Sequence, residues 1–183
     1  MMTDGSLALI ALNAPLSLVG AANQSFRSIV YDLLGAGVGQ APPSIIGNVA
    51  TYGSPDAKGV GKMRPELVVS IGAALIAVGA STLNCALQLA ADTGAGGGYQ
   101  PSTWNTAAET GPMTAAELVA QTLLARFPFL PPFPFNLRPR FVSLLFSPSA
   151  GGSFSQGSIA SALVTVMRDD YSAKYAANNF KVA

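Results

Sequence analysis

The stretch NLRPRFVSLLFSPSAGGSFSQGSIASALVTV, residues 136–166, decides how this chain is read. It holds two apolar runs of β type separated by Ser149-Ala150-Gly151-Gly152-Ser153, a loop whose paired glycines supply positive φ without steric cost. It reads as an antiparallel hairpin. In the first arm Val142, Leu144 and Phe146 share one face, while Phe141, Ser143 and Leu145 share the other. In the second arm Leu163 lies opposite Val164 and Val166. Both faces of such strands can be partly buried, which places them in the middle of a packed β-sandwich around which the rest of the chain pairs.

Composition limits what can surround that unit. The 183 residues fit one domain with a sizeable core, or a domain with extended arms. Half of them are hydrophobic and only 10% are charged, against roughly 25% in ordinary soluble domains. A surface so poor in charge is expected to be covered by partner subunits, and self-association as a dimer or trimer is the expectation. The formal net charge is +1 and the ten basic residues are scattered, so no direct nucleic-acid partner is expected. The chain has no histidine, which removes the Ser-His-Asp and Cys-His mechanisms and most zinc sites. Only Asp169 and Asp170 are adjacent carboxylates, and no acidic spacing suggests a calcium loop or an acid/base pair. No enzymatic activity, cofactor or metal is expected. Cys85 alternates with Leu83, Leu87 and Leu89 and reads as a buried core residue rather than a reactive thiol.

Along the chain, residues 7–22 (LALIALNAPLSLVGAA) are apolar like a signal peptide but lack a basic flank and are interrupted by Asn13 and Pro15. Residues 1–22 are read as an extended N-terminal arm lying against a neighbour. Residues 25–34 (SFRSIVYDLL) form a strand, with Ile29, Tyr31 and Leu33 on one face and Phe26 and Val30 on the other. The glycines after it do not make a dinucleotide fingerprint, since Gln40 stands where glycine is needed and two prolines follow. Residues 35–65 are read as a long Gly/Pro-rich excursion across a partner surface. Residues 67–91 carry no charge and are long enough for a membrane helix. Their period-2 alternation favours two strands instead, about 66–78 and 82–91, and no membrane contact. Trp104, the single tryptophan, is read as a core anchor. Thr114-Ala115-Ala116-Glu117 has the form of a helix capping box, so 118–126 stands open between helix and strand. FPFLPPFPF, residues 127–135, is either a loop capping the sandwich or a subunit contact. The organisation is thus an arm at 1–22, a body at 23–170 and a C-terminal tail at 171–183.

Leu137-Arg138-Pro139-Arg140-Phe141 is followed by Leu144 and Phe146, then by Phe154-x-x-Gly157-x-Ile159 and Leu163-Val164. This pattern resembles the jelly-roll cement, or head-decoration, proteins of short-tailed bacteriophages. Those proteins carry a P-R-aromatic-x-x-L strand, a Gly-containing turn, an F-x-x-G and a closing alternating strand. The resemblance covers residues 64–168 and takes in the strand pair within 66–91 and the segment at 114–118. It implies an all-β jelly-roll β-sandwich with long loops, located in the virion on the outer surface of the phage head. There it would bind the major capsid protein lattice. It also implies that 118–127 is a strand. The candidate capsid or subunit contacts are Phe129, Phe133, Phe135, Arg138 and Arg140. The two arginines fall on one side of a strand and pair either with a partner's carboxylates or internally with Asp169 and Asp170. A carbohydrate-binding jelly-roll module using Trp104 is the alternative, and a membrane-inserted protein using 67–91 a third reading.

Overall fold

The structure is a computed structural model that describes residues 2–32, 65–93, 100–128 and 139–166. Among these residues there are twelve strands and no helix. In the first sheet β1 (Met2–Ile10) and β2 (Leu16–Ser17) pair with β12 (Ser158–Val166), which pairs with β5 (Pro65–Ile71), which pairs with β9 (Leu123–Pro128). In the second, β3 (Phe26–Arg27) and β4 (Tyr31–Asp32) pair with β10 (Phe141–Pro148), followed by β7 (Leu83–Ala90) and β8 (Asn105–Glu109). A two-stranded ribbon joins β6 (Ile76–Val78) to β11 (Ser153–Gln156). Every pairing is antiparallel.

The two-residue period of the sequence builds the core. Register places Val142 opposite Leu89, Leu144 opposite Leu87 and Phe146 opposite Cys85, so these six side chains share one face of the second sheet, and all are buried. The first sheet contributes Leu67, Val69 and Ile71 from β5, Ile159, Ala162 and Val164 from β12, and Leu9 and Ile10 from β1. Side chains of both sheets form a single cluster, an arrangement consistent with a β-sandwich. Burying each large side chain contributes about 1.5–3 kcal/mol. Cys85 lies in this cluster as expected, and burial pushes its thiol pKa up, away from reactivity.

The decisive stretch folds differently from its first reading. Its two arms do not form a hairpin with each other: β10 belongs to the second sheet and β12 to the first. Each arm has one strongly apolar face, and the two faces meet the shared core from opposite sheets. The intervening residues pass from one sheet to the other at an end of the sandwich and lay down β11 on the way. At that corner Gly151 N donates to Asn23 Oδ1 and Ser153 N to Ser81 Oγ, while Thr82 N donates to Ser149 Oγ. The connections before β3, before β7 and after β10, all of which switch sheets, are therefore stitched together at one end. The pair expected at 66–78 and 82–91 is likewise three strands, with β5 and β7 in opposite sheets.

The N-terminal segment corrects a second expectation. Residues 2–10 and 16–17 are the edge of the first sheet rather than an arm, and Leu9, Ile10 and Leu18 are buried in the core. Their apolar side chains find cover within the molecule because β12, with β5 on one flank, needs a partner on the other. The strand expected at 25–34 is split into β3 and β4. From Phe26 to Tyr31 is five residues, yet their partners Phe146 and Val142 are only four apart, so the edge strand carries a one-residue bulge. The bulge reverses parity, and Phe26 and Tyr31, expected on opposite faces, both pack toward the core. Ser28 repairs the ladder there, its Oγ accepting from Leu144 N at 2.9 Å. At 114–117 the capping box forms, with Thr114 N donating to Glu117 Oε2 at 2.7 Å, but it closes a single turn and β9 follows. The 35–65 excursion up to residue 64, the Phe/Pro loop from 129 and the tail at 171–183 lie outside the described residues.

Candidate functional site

On β10 and β7 the residues between the core positions face away from the shared core: Phe141, Ser143, Ala86, Gln88 and Ala90 are nonetheless buried, while Leu145, Ser147 and Asn84 keep part of their exposure. Arg27 pairs with Leu145 and so shares this outer face. Its Nη2 donates to Gln88 Oε1 at 2.7 Å, and Gln88 Nε2 reaches Thr106 Oγ1 at 3.4 Å. The guanidinium carbon lies 4.4 Å from the centre of the Trp104 ring, within the range of a cation–π interaction. Nη1 is shielded from solvent and has no hydrogen-bond acceptor. No carboxylate pairs with Arg27 among the described residues. Burial lowers its pKa, because removing water disfavours the charged form and no counter-charge offsets the loss. Trp104 is thus not the core anchor expected from its size. It precedes the edge strand β8, is partly exposed, and lies on the outside of the sheet beneath Arg27.

Arg140 presents the opposite arrangement. Its Nε and Nη2 donate to the Asp32 carboxylate at 2.8–3.1 Å, and Nη1 donates to Asp92 Oδ2 at 2.9 Å. The Asp32 side chain is completely covered, whereas that of Asp92 retains 23% of its exposure. The Arg140 backbone N donates to Ala90 O, and Gln100 N to Asp92 Oδ1. One guanidinium therefore ties β4, the start of β10 and the exit of β7 together.

Of the five expected contact residues, Phe129, Phe133, Phe135 and Arg138 lie outside the described residues. Arg140 is buried, and its carboxylate partners are internal ones, Asp32 and Asp92. Sequence reasoning missed Arg27, since regular alternation across 25–34 put it on the face of Tyr31, and only the bulge turns it outward. No signal in the sequence marked it, since Asp32 stands five residues away and only the structure shows that it is bound by Arg140.

Among the described residues no group of His, Cys, Asp and Glu is placed to hold a metal ion, and no helix is long and apolar enough to cross a membrane. The uncharged run 67–91 is built from β5, β6 and β7. No protein-family model matches the chain, and no curated protein sequence matches it.

Proposed function

We propose that the chain is a virion structural protein, a jelly-roll cement or head-decoration protein that binds the outer surface of a major capsid protein lattice and catalyses no reaction. Strand order carries the reading. With β1 and β2 counted as one interrupted edge strand, and β3 and β4 as another, eight units remain outside the β6–β11 ribbon. The sheets then run 1-8-3-6 and 2-7-4-5, the order of two interlocked Greek keys expected of a jelly roll. The quoted motif falls on positions with structural reasons. Phe154 and Ile159 are core residues, and Gly157 between them has φ 131° with a Leu75 atom 2.6 Å from where a Cβ would stand. Of the strand that the resemblance implies at 118–127, residues 123–127 lie in β9 and 118–122 form the turn before it.

The mechanism is burial. A protein laid across two or more shell subunits makes lattice opening expose its own contact surface as well, which stabilises the closed lattice by mass action. Exposed Leu12, Val19, Ile29 and Val30 on the N-terminal edge supply apolar surface for such contacts or for dimers and trimers of the chain itself. A carbohydrate-binding module is the second reading, favoured by the partly exposed Trp104. The test is sedimentation of purified protein with phage heads lacking it. Saturable binding that delays thermal rupture of the heads is expected, and heads that sediment without the protein would end the proposal.

A further inference from the structure

We infer that Arg27 and Trp104 form the centre of a docking surface on the outer face of the second sheet, where a protein partner places an aspartate or glutamate carboxylate against the Arg27 guanidinium. The inference rests on the reading above for the partner's identity, a shell subunit.

Charge is the first argument. Arg27 is partly desolvated, and its neighbours Gln88, Thr106 and Trp104 are all neutral. One face of the guanidinium has a ring and Nη2 has an amide oxygen, but Nη1 has no acceptor. An apolar partner would deepen the desolvation and leave Nη1 unmet, and a cationic one would repel it. A carboxylate supplies both the charge and the acceptor, in the paired geometry that guanidinium favours.

The second argument is the company Arg27 keeps. Arginine and tryptophan are the residues most enriched where protein interfaces concentrate their binding energy, commonly within a near-neutral surround that excludes water. Here the pair is bordered by Ser147, Asn84 and Thr106, short polar side chains that are partly or fully exposed on the sheet face. A sugar is the poorer occupant, because the guanidinium already covers one face of the Trp104 ring on which it would stack. Nη1 is covered in the free protein, so engaging it shifts the guanidinium relative to the indole. Trp104 is the only tryptophan and reports that shift by its fluorescence.

The experiment measures head binding of the full chain and of Arg27→Gln, Arg27→Glu and Arg27→Lys, each first checked for native circular dichroism and melting temperature. Arg27→Gln is expected to weaken binding roughly thirtyfold, Arg27→Glu to weaken it further, and Arg27→Lys to recover part of the loss. Variants that bind heads as the wild type does would overturn the inference while leaving the cement reading intact. Wild-type protein that ignores heads would overturn both. In a parallel arm, Trp104 emission of the free protein is titrated with glucuronate and with acetate. A saturable response to glucuronate alone, abolished by Arg27→Gln, would replace the protein partner with an acidic sugar. The expected result is no saturable response to either.

Discussion

Two arginines on the second sheet, Arg140 and Arg27, are both drawn out of water, and the molecule treats them in opposite ways. Arg140 meets a fully covered carboxylate through three hydrogen bonds and a second carboxylate through a fourth. Arg27 meets an amide oxygen and an indole ring, with no carboxylate among the described residues. Desolvating an ion costs several kcal/mol. At Arg140 this is offset within the fold, whereas Arg27 is only partly withdrawn from water and has a cation–π contact of about 0.5–2 kcal/mol and one hydrogen bond. In a chain with so few charges, full pairing marks a residue used to hold strands together. Incomplete pairing at Arg27 is the observation on which the proposed contact rests.

The largest effect expected from this contrast is at the paired site. Asp32→Ala takes a fully covered carboxylate away from the Arg140 guanidinium, and Arg140→Ala takes three hydrogen bonds away from the fully covered Asp32 side chain. Each should lose about 3–5 kcal/mol of unfolding free energy, read from urea denaturation. Cys85 provides a second readout, since its thiol is buried and burial holds it protonated. Alkylation then requires opening, and either variant should label roughly a hundred- to several-thousandfold faster than wild type. The double variant Asp32→Leu with Arg140→Met removes both charges and should recover most of the loss, because well-packed apolar pairs commonly match buried ion pairs. A double variant as unstable as the singles would show that the strand junction depends on the ion pair itself.

The contrast also shows what was legible in the sequence. The apolar alternation of β7 and β10 was plain from Leu83, Cys85, Leu87 and Leu89 and from Val142, Leu144 and Phe146, because period-2 burial is a local property of a strand. Which strands pair was not. The 136–166 stretch offers a glycine-rich turn between two good strands, and nothing local distinguishes a hairpin from a crossing between sheets. That choice depends on β5 and β7 occupying the neighbouring positions. The site was hidden for a related reason. A single bulged residue between Phe26 and Tyr31 reverses which side chains face out, so an alternation argument that was sound on either side failed across it. Arg140 was recognised as a residue needing carboxylates, but Asp32 and Asp92 lie 108 and 48 residues away in sequence.

A smaller effect is expected at the outer limb of the triad. Asp92 is bonded to the same guanidinium as Asp32 but keeps part of its exposure, so solvent screens it. Asp92→Asn should cost no more than about 1 kcal/mol, and the loss should shrink further in high salt. Denaturation curves with and without added salt check this. A loss as large as that of Asp32→Ala would mean that the two carboxylates act as one coupled unit, and the distinction between a buried and a screened partner would fail.

The smallest stability effect is expected at Arg27, although it carries a full charge. Arg27→Met removes the hydrogen bond to Gln88 and the cation over Trp104, losses of about 1 kcal/mol each. It also removes the solvent-shielded Nη1, whose unmet hydrogen bonds cost about 1–3 kcal/mol, and keeps the aliphatic stem that covers the sheet. These changes oppose one another, and the net change should lie within about 1 kcal/mol of zero. Urea denaturation measures it, and Cys85 alkylation should keep its wild-type rate. A loss near that of Asp32→Ala would show that Arg27 supports the fold as Arg140 does, removing the reason to look for its counter-charge on another molecule. An unchanged midpoint together with lost head binding would separate the two arginines completely, one for the fold and one for the contact.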